Sequence, residues 1–176
     1  EEERYKLRSL GEKGIIFDSK ERLDFISRLI KKIGQNTLIL FSDVKNEYGL
    51  KVSNKIKEWN HNTFYIDGGT DNVDREEFKD IMESNDNVII VASYGTFATG
   101  IDLKRVYHIV FIESTKAEIT IRQAIGRGMR YLKDKDVVII WDIIDDLHGY
   151  SVRHSNKRLE IYKEQDFEIL KYSCKL

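Results

Sequence analysis

VIIVASYGTFATGID, residues 88–102, is the stretch that decides the fold. Its first four residues are β-branched and apolar, and Ala92 completes the run. A run that short and that apolar reads as a strand buried on both faces, the habit of parallel sheets. A glycine-bearing loop follows at once, from Ser93 to Asp102. Open α/β sheets bind ligands at the loops beyond the carboxyl ends of their strands. Gly95 and Gly100 imitate the spacing of a phosphate-binding P-loop. Ile101 and Asp102 stand where that motif needs Lys and then Ser or Thr, so the loop is not one. No other P-loop candidate occurs in the sequence.

Working outward, TLILF (37–41), TFYI (63–66), VYHIVFI (106–112) and DVVIIWDII (136–144) read as four more strands. Between them the apolar residues recur at helical spacing. Leu23, Ile26, Ile30 and Ile33 mark a helix over 20–33, with Asp18 or Ser19 as its cap and Gly34 as its stop. Further helices are expected over 44–58, from Thr70 or Asp71 to about Glu83, over 117–130, and from Ser151 to near the C-terminus. Strands alternating with helices predict an α/β fold with a parallel sheet covered on both faces. One domain is expected over 1–147, with 1–18 as a lead-in and 148–176 as its helical C-terminal extension.

Composition narrows the class. The chain has 176 residues, 41% hydrophobic and 34% charged, enough for a packed core under a solvated surface. A net charge of −1 gives no support to a simple cationic nucleic-acid binder. It does not exclude contact through backbone N–H groups. Cys174 is the single cysteine, so no internal disulfide forms and a reducing cytoplasm fits. No apolar run approaches the roughly 20 residues of a membrane span, and EEERYKLRSLGEK has no signal-peptide core. A cytoplasmic protein without a membrane partner is expected. The start at Glu1 rather than Met suggests a piece of a longer protein.

QAIGRGMR, residues 123–130, carries the strongest chemical signal. Gln123, Arg127 and Arg130 fall at i, i+4 and i+7, one face of a helix bearing an amide and two guanidiniums. Gly126 and Gly128 each cost such a helix about 1 kcal/mol against alanine, a cost explained if a ligand or backbone comes close. The plainer reading is a solvated basic helix end. In the loop after residue 92, Ser93 offers a hydroxyl and an N–H to a phosphate, Gly100 permits close approach, and Asp102 can accept from ribose hydroxyls. The plainer reading there is a connecting loop with Asp102 in a turn. Asp142, Asp145 and Asp146 read as an acidic strand end rather than a metal site. His61, His108, His148 and His154 show no ligand spacing, so no metal is expected. Arg153, His154, Lys157 and Arg158 form a basic patch, either a DNA contact or a solvated helix face.

These segments occur in the order and separation of known motifs. ASYGTFATGID and QAIGRGMR resemble motifs V and VI of superfamily 2 helicases, the latter as Q-x-x-G-R-x-x-R. TLILFSDVKNE (37–47) resembles motif IV. FYIDGGTDNVDREEF (64–78) resembles the segment after it, where a glycine turn precedes an arginine and a phenylalanine. VASYGTFATGI, WDIIDD (141–146) and the stretch from Tyr162 to Phe167 are similar to the phage UvsW-type recombination helicases. The resemblance spans roughly residues 37–147.

It implies the second of two RecA-like (P-loop NTPase-like) motor domains. Arg130 would be the arginine finger, Arg127 a second γ-phosphate contact, and Gln123 a positioning group beside them. Gly100 and Asp102 would approach the nucleotide sugar. Ser42, Gly68 and Ser93 would contact the nucleic-acid backbone. ATP with Mg²⁺ would be shared with an N-terminal RecA-like domain supplying the P-loop lysine and the magnesium-binding acid. The isolated chain is therefore expected to be inactive. The implied partner is DNA, branched or single-stranded, with roles in branch migration, fork regression, recombination and repair. The alternatives are an RNA helicase, a restriction-type translocase, or a non-catalytic binding or annealing module.

Overall fold

Thr37–Phe41 (β1), Thr63–Ile66 (β2), Ile89–Ser93 (β3), His108–Phe111 (β4) and Ile139–Asp142 (β5) form one sheet in the computed structural model. The structure describes residues 11, 13–42, 44–98, 103–113, 122, 126, 137–146 and 149–175. The strand order is β2–β3–β1–β4–β5, and every pairing is parallel. The three central strands are buried throughout, whereas β5 is an edge strand with exposed and half-buried positions. All five expected strands are present. Those expected over 106–112 and 136–144 are trimmed at both ends.

Alternation along each strand feeds two cores. Leu38, Leu40, Ile90, Ala92, Ile109 and Phe111 face one way. They meet Met82 of Asn72–Ser84 (α3) and Ile161 and Tyr162 of a C-terminal helix. Ile39, Phe41, Ile89, Val91, Val110 and Ile112 face the other way. They meet Ile26 and Ile30 of Lys20–Ile33 (α1), and Tyr48, Val52 and Ile56 of Tyr48–Lys57 (α2). Helices on both faces leave the strand ends as the sheet's open border. Ligands bind such sheets at that border.

Local chemistry sets the helix limits. Ser19 caps α1, its Oγ accepting from the Arg22 N–H at 3.1 Å. Gly34 ends it at φ +62°, the left-handed conformation that glycine adopts without penalty. The helix expected from residue 44 begins only at Tyr48, because Glu47 sits at φ +53° and cannot lie inside a right-handed helix. Gly49 faces the Phe41 ring, and a Cβ there would come within 2.5 Å of it. Asp71 holds the cap position of α3 without a side-chain cap bond, while Thr70 Oγ1 accepts from the Asp67 N–H at 3.0 Å.

Two differences from expectation have clear causes. A short helix, Tyr94–Ala98 (α4), occupies the start of the loop after β3. Ser93 caps it, Oγ accepting from the Thr96 N–H at 3.3 Å. The C-terminal helix, Tyr150–Glu164 (α5), stops well short of the C-terminus. Asp166 turns left-handed at φ +54°, and the Phe167 N–H bonds Tyr162 O at 3.1 Å, a six-residue closure that ends a helix. Of the helix expected over 117–130, Arg122 and Gly126 are described and both are helical.

Candidate functional site

The carboxyl border gathers one candidate residue from each strand end. Gly68 follows β2, Ser93 ends β3, Ser42 follows β1, Glu113 follows β4, and Asp145 follows β5. β1 and β4 are neighbours, yet the chain leaves β1 toward β2 and leaves β4 toward β5 on the opposite side. Neighbouring strands whose connections part this way open a crevice between them, the usual ligand position in such sheets. Ser42 and Glu113 stand at that crevice. Ser42 gives its hydroxyl to Glu113 Oε2 at 2.5 Å and its backbone N–H to the same oxygen at 3.2 Å. Ser42 is exposed, whereas Glu113 is buried.

The turn after β2 is held from within. Asp67 Oδ1 accepts from the Gly69 N–H at 2.8 Å, and Asp67 O accepts from Arg75 at 3.0 Å. Tyr65 donates to Asp67 Oδ2 at 3.2 Å. Burial, then the adjoining Asp67 carboxylate, pushes the Tyr65 phenol up to about 12. Gly68 itself is exposed, has no positive φ, and has nothing within 4 Å of where a Cβ would stand. Glycine is not required there by the chain's own geometry. What it leaves is open space over a fixed turn. Ser93 is buried, and its hydroxyl is committed to Thr96, with Oγ–Oγ1 2.8 Å.

On the far side of the crevice, Arg22 of α1 reaches under the border. It bonds Asp145 through Nε at 2.5 Å and a terminal nitrogen at 2.9 Å, Ile112 O at 2.8 Å, and the Tyr48 hydroxyl. Burial alone would lower the Arg22 pKa, but Tyr48 and Asp145 outweigh it and raise it. Asp142 is paired with Arg158, so two of the three acids near the end of β5 serve arginines. Among the described residues no group of three or more His, Cys, Asp or Glu is placed to hold a metal. No helix among them is long and apolar enough to cross a membrane.

The basic patch expected on α5 is half dismantled. Arg158 and His154 are buried, and only Arg153 and Lys157 are exposed, because the inward face of α5 meets the acid at the end of β5. Ser42, Gly68 and Ser93 stand side by side along the border. Gln123, Arg127, Arg130, Gly100 and Asp102 lie outside the described residues. Sequence reading overlooked Glu113. The available signal was an acid directly after the apolar run VYHIVFI, where a strand end brings it to the ligand border.

A family model described as the helicase conserved C-terminal domain matches residues 21–132, more than half of the chain. The chain belongs to that family. It is 30% identical over 171 residues to the ATP-dependent DNA helicase UvsW of phage T4, covering 87% of this chain and 34% of that protein. The crystal structure of T4 UvsW superposes with a TM-score of 0.73 at 27% identity, over 89% of this chain and 35% of that one. The E. coli DEAD-box protein SrmB shares the fold, with a TM-score of 0.54 at 21% identity over 68% of this chain and 72% of that one. The chain is thus a RecA-like C-terminal domain of the superfamily 2 type, related to UvsW. It spans about a third of the length of that relative.

Proposed function

We propose that this chain is the second motor domain of an ATP-dependent DNA helicase or translocase acting on branched DNA, in branch migration and fork regression. The observation that carries the reading is the row of Gly68, Ser93 and Ser42 at the carboxyl ends of β2, β3 and β1, three neighbouring strands of a helicase-family sheet. Two strand spacings cover roughly 10 Å, about three nucleotides at a stacked rise of about 3.4 Å. A strand running along this border would meet open space at Gly68 and an exposed serine at Ser42. Such a grip needs no strongly positive surface, which agrees with a net charge of −1.

The ATP half of the reading rests on QAIGRGMR and on the similarity to the ATP-dependent helicase of phage T4. Arg130 and Arg127 would neutralise charge spreading over the transferring phosphoryl oxygens, with Gln123 positioning groups beside them. Gly100 and Asp102 would lie against the nucleotide sugar. An N-terminal RecA-like domain of the same protein would supply the P-loop lysine and the acid that holds Mg²⁺.

Fluorescence anisotropy with labelled single-stranded and branched DNA, across a salt series, tests the grip. Weak binding that falls as salt rises is expected, and Ser42→Ala should weaken it further. RNA of the same sequence should bind less well. Tight, salt-independent binding, or a preference for RNA, would sink the DNA reading.

A further inference from the structure

Ser42 carries two hydrogen-bond donors, its N–H and its O–H, and both end on one oxygen of Glu113. A phosphate oxygen offers only lone pairs, so it needs a donor from the protein. While Glu113 holds both, Ser42 has none to give, and the carboxylate adds a negative charge beside the phosphate path. The arrangement is not a loose surface contact, since Glu113 is only 3% exposed. Phe111, two residues before Glu113, is locked against Leu40 in the β1–β4 pairing. The Ile112 N–H bonds Leu40 O at 3.3 Å, and Ile112 O is held by Arg22 at 2.8 Å. The acid is therefore presented to Ser42 by a fixed backbone rather than by a mobile loop.

We propose that Glu113 is a specificity-determining latch on the nucleic-acid grip, competing with the phosphodiester for the two donors of Ser42. The proposal rests on the reading that Ser42 meets the strand. A phosphate engages this position only by taking the Ser42 donors away from Glu113. Binding there is weakened by the cost of that exchange and favours ligands that approach with enough contacts elsewhere to meet it. Glu113 also directly precedes the segment that leads to QAIGRGMR. The residue that yields at the grip thus begins the stretch that carries the candidate phosphate-sensing arginines.

The test compares the native chain, Glu113→Gln, Ser42→Ala and the double variant, using a fluorescein-labelled oligothymidylate and anisotropy at fixed salt. Glu113→Gln replaces the charged acceptor by a neutral amide oxygen that holds the Ser42 donors less strongly, and should tighten binding about two- to tenfold. In the Ser42→Ala background the gain should shrink to the part carried by the remaining backbone N–H, whereas a general removal of negative charge would leave the gain undiminished. A thermal melt of each variant confirms folding. Should Glu113→Gln not fold, Glu113→Asp keeps the charge, shortens the reach to Ser42, and should still tighten binding. Unchanged or weaker binding in the Glu113 variants, with Ser42→Ala weaker than native, overturns the latch and leaves the grip standing. Ser42→Ala binding as well as native removes the grip at Ser42, and the latch with it.

Discussion

Arg158 and Asp142 form a two-bond pair, with Nε to Oδ2 at 2.8 Å and a terminal nitrogen to Oδ1 at 2.7 Å, and Arg158 is wholly buried. The Tyr162 hydroxyl donates to the same carboxylate at 3.0 Å. Burial, then the Asp142 charge, raises the Tyr162 phenol beyond its ordinary range. The pair ties the inner face of α5 to the end of β5. Removing one member strands the other as an uncompensated buried charge. Asp142→Ala and Arg158→Ala should each cost about 3–5 kcal/mol in urea unfolding. Replacing both by apolar residues of similar volume should cost much less than the sum. Additive losses would show that the two residues act separately.

Gly49 should tolerate no side chain. Its absent Cβ would lie 2.5 Å from two atoms of the Phe41 ring, which is fully buried and stacks on Tyr65 at 5.5 Å. Gly49→Ala should destabilise by about 1–3 kcal/mol, the usual cost of overpacking a core. Phe41→Leu in the same chain should recover part of that loss by making room. Equal stability of Gly49→Ala and the native chain would mean that α2 slides on β1 more freely than this packing allows.

His108 should make the fold sensitive to acid. Its Nδ1 accepts from the Trp141 indole N–H at 3.0 Å, so the neutral ring carries its proton on Nε2, against Gln35 Oε1 at 2.7 Å. Burial lowers its pKa from 6.5. The unfolded chain therefore takes up this proton first as pH falls. The stabilisation is complete above pH 6.5 and is lost progressively below it, until the folded state also protonates. Urea midpoints measured above and below pH 6.5 should fall on the acid side, and His108→Gln should flatten that part of the profile. Identical slopes for the two proteins would remove His108 as the cause.

Arg130 tests the motor reading once the chain is joined to the proposed N-terminal RecA-like domain. An arginine finger acts in the transition state, so Arg130→Ala should lower kcat about 10²-fold or more with little change in ATP affinity. Arg130→Lys should recover little, because one ammonium cannot span two phosphate oxygens. Arg127→Ala should combine with it less than additively, since both act on one phosphate. Near-normal kcat in Arg130→Ala, with the fold intact by thermal melt, would remove Arg130 from the motor chemistry.

The strands and most helices were legible in the sequence because burial leaves a local mark. VIIVA and TLILF are apolar on both pleat faces, which only a doubly covered sheet explains, and Leu23 to Ile33 repeat at the period of one helix face. The helix breaks at Glu47 and Asp166 were less legible, since left-handed residues other than glycine carry no strong signature. Gly68, Ser93 and Ser42 could be named from motif order, but their adjacency depends on the order β2–β3–β1, which parallel pairing across long connections decides. The same holds for the pairs that set the site's chemistry. Ser42 and Glu113 lie 71 positions apart, and Arg22 and Asp145 lie 123 apart. Sequence determined which side chains are charged and which strands are buried. Only the folded sheet decided that Glu113 would claim the donors of Ser42, because a hydrogen bond depends on ångströms of separation in space and not on position along the chain.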